Sequence, residues 1–134
     1  MSVVYAVEPD LSPEEFRAVL IASTLAERRP AEDLPRLQKM LRCADIVVTA
    51  RDEQRLIGIS RAITDFAYCC YLSDLAVDVA YQHRGIGKRL IAETHARAGE
   101  QTALILVAAP LAEAYYPKIG MQHLKSCWSF PRTR

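Results

Sequence analysis

The segment Leu75-Ala76-Val77-Asp78-Val79-Ala80-Tyr81-Gln82-His83-Arg84-Gly85-Ile86-Gly87-Lys88-Arg89-Leu90 carries the reading of this chain. Its first residues are apolar and in part β-branched, as in a strand. A loop with two glycines follows, and an amphipathic helix begins at once, spanning Lys88–Gly99. Leu90, Ile91, Thr94 and Ala98 fall on one side of it, and Gly99 is a natural C-terminal stop. A strand that runs through a short loop into a helix gathers free backbone N–H groups at the positive end of the helix dipole, where phosphate binds well. Gly85 and Gly87 permit positive φ and close approach of a ligand, and Lys88 and Arg89 add positive charge. The same pattern also describes a tight turn whose glycines only relieve crowding. It is not a Walker loop, because the long spacing and the Gly-Lys-Ser/Thr ending are absent. It also lacks the full dinucleotide fingerprint, and a meander precedes it rather than a βαβ unit.

Upstream, Val3–Val7 reads as a first strand. Ser12-Pro13-Glu14-Glu15 starts a helix, with Ser12 as cap, Pro13 at the first position and Glu15 closing a capping box. Phe16, Val19, Leu20 and Ser23 share a face, and the helix is expected to end near Arg28-Arg29-Pro30. Leu34, Leu37, Met40 and Leu41 predict a second helix. Asp45–Ala50, the turn Arg51-Asp52-Glu53-Gln54 and Arg55–Ile63 predict a β-hairpin, and Ala67–Val79 a longer strand after the turn signal Thr64-Asp65. Downstream, the apolar run Thr102–Val107 predicts a strand covered on both faces. Pro110–Ile119 reads as a short helix distorted by Pro117, and Met121–Phe130 as a final strand. The order β-α-α-β-β-β-α-β-α-β predicts an α/β (α+β) fold with a mixed sheet and helices on both faces.

The 134 residues fit one domain, 1–134. Hydrophobic residues at 51% and charged residues at 25% are the balance of a soluble globular chain. A net charge of +1 gives no field for nucleic acid or an acidic membrane. No apolar run can span a bilayer, and the N-terminus lacks the basic start and apolar stretch of a signal peptide, so a cytoplasmic location is expected. Cys43, Cys69, Cys70 and Cys127 form no Cys-x-x-Cys pair, and His83, His95 and His123 are scattered, so reduced thiols and no metal are expected. Adjacent Cys69 and Cys70 point to opposite faces of their strand.

The segment Gln82-His83-Arg84-Gly85-Ile86-Gly87 resembles the Gln/Arg-x-x-Gly-x-Gly/Ala motif of the GNAT acetyltransferase superfamily. Asp74-Leu75-Ala76-Val77 looks like the strand that enters that motif. Ala114-Tyr115-Tyr116-Pro117-Lys118-Ile119-Gly120-Met121 is similar to the family's second signature, Phe-Tyr-x-Lys-x-Gly-Phe. The resemblance covers nearly the whole chain and is strongest from Ser73 to Met121.

The resemblance implies a mostly antiparallel sheet with a splayed central strand pair, and transfer of an acetyl group from acetyl-CoA to a primary amine by direct attack. The amides of Gln82, His83, Arg84, Gly85, Ile86 and Gly87 would hold the CoA diphosphate, with Lys88 beside them. The backbone of Leu75, Ala76 and Val77 would pair with the pantetheine arm. Tyr116 stands where a tyrosine often protonates the departing thiolate. Asp74 is the acid nearest the thioester gap and a candidate base, with Tyr71, Ser73 or a water relay as alternatives. Asp65 could meet a cationic substrate, and Phe66, Tyr68, Tyr71 and Trp128 could line an acceptor pocket or simply pack. Tyr115 reads as core. The acceptor is a small-molecule or protein amine, and the family also admits homodimers. The chain departs from the pattern at His83, where many members have glycine, and at Val79 for a common proline. Ala109 replaces an asparagine that contacts the cofactor, and Met121 an aromatic residue. The competing reading is an acetyl-CoA-binding regulator that transfers nothing.

Overall fold

Glu53 and Gln54 both adopt left-handed backbone, with φ of 48° and 74°, and turn strand β2 (Ile46–Asp52) back onto β3 (Arg55–Thr64). A two-residue turn with positive φ matches the twist of the strands it joins. Around this hairpin the computed structural model, which describes residues 2–134, builds one five-stranded sheet. Strand β1 (Val3–Val7) pairs antiparallel with β2, and β4 (Cys69–Val77) antiparallel with β3. Strand β5 (Ala103–Ile105) joins β4 in parallel. Helices α1 (Pro13–Ala22) and α2 (Leu34–Arg42) cover one face, and α3 (Ile86–Ala98) covers the other. A one-turn helix, α4 (Tyr115–Lys118), follows β5. The expected mixed α/β sheet with helices on both faces is present.

Two cores hold the layers together. Phe16, Leu20, Leu37 and Leu41 pack on Val47, Ile59 and Ala76, while Ile86, Leu90 and Ala98 pack on Val48, Ile57 and Cys70. Burial of each large side chain contributes about 1.5–3 kcal/mol. Gly58 sets how closely α3 lies on the sheet: a Cβ there would stand 3.1 Å from Leu90 Cδ1.

A β-bulge shapes the strand that matters most. Arg61 pairs with Asp74 and Ala62 with Leu72, leaving Ser73 as an extra residue in β4. The bulge exchanges the faces of the strand. Cys70 packs in the α3 core, whereas Ala76, of the same parity, packs in the α1–α2 core.

Several boundaries differ from the sequence reading. Helix α1 stops at Ala22: the Ser23 hydroxyl bonds to Leu20 C=O, Thr24 turns left-handed (φ 71°), and a 3-10 turn over Leu25–Arg28 replaces the last helical stretch. Only half of the capping box forms. Ser12 Oγ accepts from Glu15 N–H, but the Glu15 carboxylate reaches Arg51 instead. Helix α3 starts two residues early, at Ile86. Strand β5 is short, and Ala103 and Ile105 are exposed rather than covered. The final strand expected over Met121–Phe130 is absent. Leu124, Trp128 and Phe130 are exposed there.

Candidate active site

The end of β4 and the start of α3 form a candidate cradle for an anion. Asp78 caps a 3-10 turn over Val79–Tyr81 by accepting from Ala80 N–H at 2.9 Å, and Arg55 reaches the same carboxylate. Tyr81 Oη donates to Asp52 at 2.8 Å, and Gln82 Nε2 donates back to Val77 C=O at 3.1 Å. These bonds fasten the loop to the end of the hairpin. His83 and Gly85 then take left-handed backbone, with φ of 65° and 80°. Gly85 is the helix N-cap and supplies no side-chain bond. The first amides of α3 have no carbonyl four residues behind them, and the first helical bond runs from Arg89 N–H to Gly85 C=O. Free amides at a helix N-terminus suit a diphosphate.

Among the expected cradle residues, Gln82, His83, Arg84, Gly85 and Lys88 are exposed, and Ile86 is buried and anchors the helix in the α3 core. Arg84 lies over the Tyr81 ring. Arg89 turns away to Glu93 and the Tyr5 ring, so its charge does not serve the cradle directly.

Beside the cradle the sheet opens. Strand β5 pairs with β4 only through Cys69–Ala103, Cys70–Leu104 and Tyr71–Ile105. Beyond that last pair β4 continues to Val77 with β3 on one side alone, and the chain after Ile105 leaves the sheet. Leu75, Ala76 and Val77 therefore keep an outer edge on which alternate residues present N–H and C=O groups. This is the splayed strand pair that the resemblance implies, and its open end leads into the cradle.

Helix α4 closes over the same place. The Tyr115 hydroxyl lies 3.2 Å from where a Cβ on Gly87 would stand, and it accepts the Lys88 amide. Tyr115, expected in the core, thus sits on the cradle. Tyr116 packs edge-on against it with ring centroids 5.3 Å apart. Burial, and then the Tyr115 phenol beside it, push the Tyr116 phenol above its ordinary value of 10.0.

Asp74 is placed differently from Tyr116. Its side chain is completely buried, with one oxygen bonded to Arg29 and the other to Arg61. Arg29 also donates to Ser73 C=O at 2.8 Å, and Arg61 reaches Met40 C=O and Ser73 Oγ. The bulge carries this cluster: it turns Asp74 to the α1–α2 face, and ordinary alternation sets Val77 on the other. With both oxygens occupied, the carboxylate presents none to an arriving amine. Arg29 and Arg61 are the residues that sequence reading missed. The Arg29–Asp74 pair spans 45 positions, and no local pattern announces it.

Among the described residues no three His, Cys, Asp or Glu side chains gather as metal ligands, and no helix is long and apolar enough to cross a membrane.

Comparison with known proteins agrees with this geometry. The family model of the acetyltransferase (GNAT) domain matches residues 44–122, more than half of the chain. No curated protein is significantly similar in sequence. Among solved structures, a "Probable Acetyltransferase" of meticillin-resistant Staphylococcus aureus superposes with a TM-score of 0.80 at 22% identity, covering 99% of each chain. A GNAT-family acetyltransferase of Streptococcus pneumoniae gives 0.75 at 18% identity, covering 99% of this chain and 98% of its own. An aminoglycoside N-acetyltransferase solved in complex with CoA gives 0.75 at 16% identity, covering 99% and 96%.

Proposed function

Because the chain belongs to the GNAT acetyltransferase family, we propose that it moves the acetyl group of acetyl-CoA onto a primary amine by direct attack. The observation that carries this reading is the convergence of three features. The sheet parts after Tyr71 and Ile105, the open edge Leu75–Val77 runs along the gap, and a helix N-terminus whose cap residue, Gly85, supplies no side chain stands at its end.

Acetyl-CoA, when bound, supplies an activated thioester. The amides from Gln82 to Gly87 hold its diphosphate, with the Lys88 ammonium beside them. The edge of Leu75, Ala76 and Val77 pairs with the pantetheine arm, and the outward amide near Val77 polarises the carbonyl. Tyr116 donates its phenolic proton toward sulfur. A phenol with a raised pKa keeps that proton through the neutral range, as a general acid must. The amine gives its proton to water, since Asp74 is committed to Arg29 and Arg61. Asp74 acts in this account as the residue that positions the bulge.

The test is thiol release from acetyl-CoA against a panel of amines. Tyr116→Phe lowers the turnover rate by about 10²–10⁴-fold while acetyl-CoA affinity stays within about threefold. Tyr116 keeps its acid form past its ordinary value of 10.0, so the alkaline limb that it contributes to the wild-type rate lies above that value, and this limb is missing in the variant. Binding without release from any amine would instead place the chain among the regulators that transfer nothing.

A further inference from the structure

The α1–α2 face of the sheet is bare at the apex of the cleft. Ile63, Tyr71 and Ile105 stand side by side there on three adjacent strands, through the pairs Ile63–Tyr71 and Tyr71–Ile105. All three are partly exposed, at 41%, 44% and 37%. With Thr64, Asp65 and Cys69 they line a cavity of about 430 Å³, within the range of small-molecule sites. Tyr71–Ile105 is also the last pair before β4 and β5 separate, so the cavity adjoins the gap assigned to the thioester.

The lining is almost entirely apolar, with one charge. Asp65 Oδ1 accepts from the amides of Tyr68, Ala67 and Cys69 at 2.8, 2.9 and 3.1 Å, which fixes the carboxylate at the rim. Those amides hold its carboxyl down at about 2, so it is ionised throughout the neutral range. Among the described residues no protein group bonds its other oxygen. Asp45, the neighbouring carboxylate, is turned to the Thr64 amide.

We infer that this cavity is the acceptor subsite and that it takes an aryl- or alkyl-amine carrying a single positive charge. The inference rests on the transfer reading above and names its substrate class. The apolar row Ile63–Tyr71–Ile105 desolvates the body of the amine, and Asp65 attracts its ammonium form at the entrance. A polyamine or an aminoglycoside carries several charges, and each needs a carboxylate or water. One carboxylate above an apolar floor leaves the rest unpaired.

Cys69 makes the subsite measurable without turnover. It is exposed and lines the cavity, Cys70 is buried, and Cys43 and Cys127 are exposed elsewhere. The intact protein is alkylated with iodoacetamide in the presence of phenethylamine or spermidine, and each cysteine is followed by peptide mass spectrometry. Saturating phenethylamine slows alkylation of Cys69 by about tenfold or more and leaves Cys43 and Cys127 unchanged, while spermidine leaves Cys69 unprotected. Asp65→Asn raises the phenethylamine concentration for half-protection about two- to fivefold. No protection by phenethylamine at millimolar concentration, or equal protection by spermidine, overturns the inference. Protection without thiol release would keep the subsite and defeat the transfer reading. Thiol release from spermidine without protection would do the reverse.

Discussion

Gly85 and Gly87 answer to different constraints, although they stand one residue apart. Gly85 has φ of 80° and nothing within 4 Å of an added Cβ, so its requirement is conformational. Gly87 has no such backbone, and its requirement is steric: a Cβ would press on the Tyr115 hydroxyl at 3.2 Å. A β-branched residue in left-handed backbone costs about 1–2 kcal/mol, which the loop recovers by turning its amides away from the ligand. Gly85→Val is therefore expected to weaken acetyl-CoA binding by about tenfold or more. In Gly87→Ala the tyrosine can swing aside, and the same affinity should stay within about threefold, because alanine is a good helix residue. Isothermal titration of both variants checks the contrast. The strand, Gly-x-Gly loop and helix were legible because they are local patterns, and the positive φ expected of both glycines is present at Gly85 alone. The role of Tyr115 was not legible. Its contact with Lys88 depends on how α4 folds back over α3, and no spacing in the sequence encodes that.

At the scale of elements, the β4 bulge decides what Asp74 does. Ideal alternation already sets Asp74 and Val77 on opposite faces, and the extra residue Ser73 delivers the carboxylate to Arg29 and Arg61 on the α1–α2 face. Through Arg61 and Met40 the cluster ties α2 to the sheet, and through Arg29 it ties the segment after α1 to β4. Removing the carboxylate leaves two largely buried guanidinium groups without a counter-charge. Asp74→Asn should thus cost about 3–5 kcal/mol in urea unfolding, as loss of one partner in a buried ion pair does. A general base would show the opposite signature, an intact melting curve with a lost acidic limb in the rate profile. The elements with strong periodicity, β1, α2 and the β2–β3 hairpin, were legible to within one or two residues. Those that failed depend on what lies next to them. The run Thr102–Val107 looks doubly covered, yet Ala103 and Ile105 are exposed. Met121–Phe130 has the composition of a strand, yet pairs with no other strand and leaves Leu124, Trp128 and Phe130 exposed.

For the whole molecule, the consequence is a sheet that is closed at one end of the β4–β5 pair and open at the other, with the cradle at the open end and the Asp65 cavity at the apex. The two substrates would enter such a fold from different sides, and the order of strands fixes that separation before any side chain is chosen. Fold class and the strand–loop–helix segment followed from the sequence because they rest on local pattern and on two motifs in the right order. Of the proposed acceptor side, Asp65 and Tyr71 were named from the sequence, whereas Ile63 and Ile105 join them only through the pairing of three strands. The most direct test of the account is a calorimetric titration of the purified chain with acetyl-CoA. The account predicts one saturable site per chain, with heat lost in Gly85→Val and retained in Tyr116→Phe. Absence of any binding to the wild-type protein would contradict it, because the amides from Gln82 to Gly87 would then hold no diphosphate.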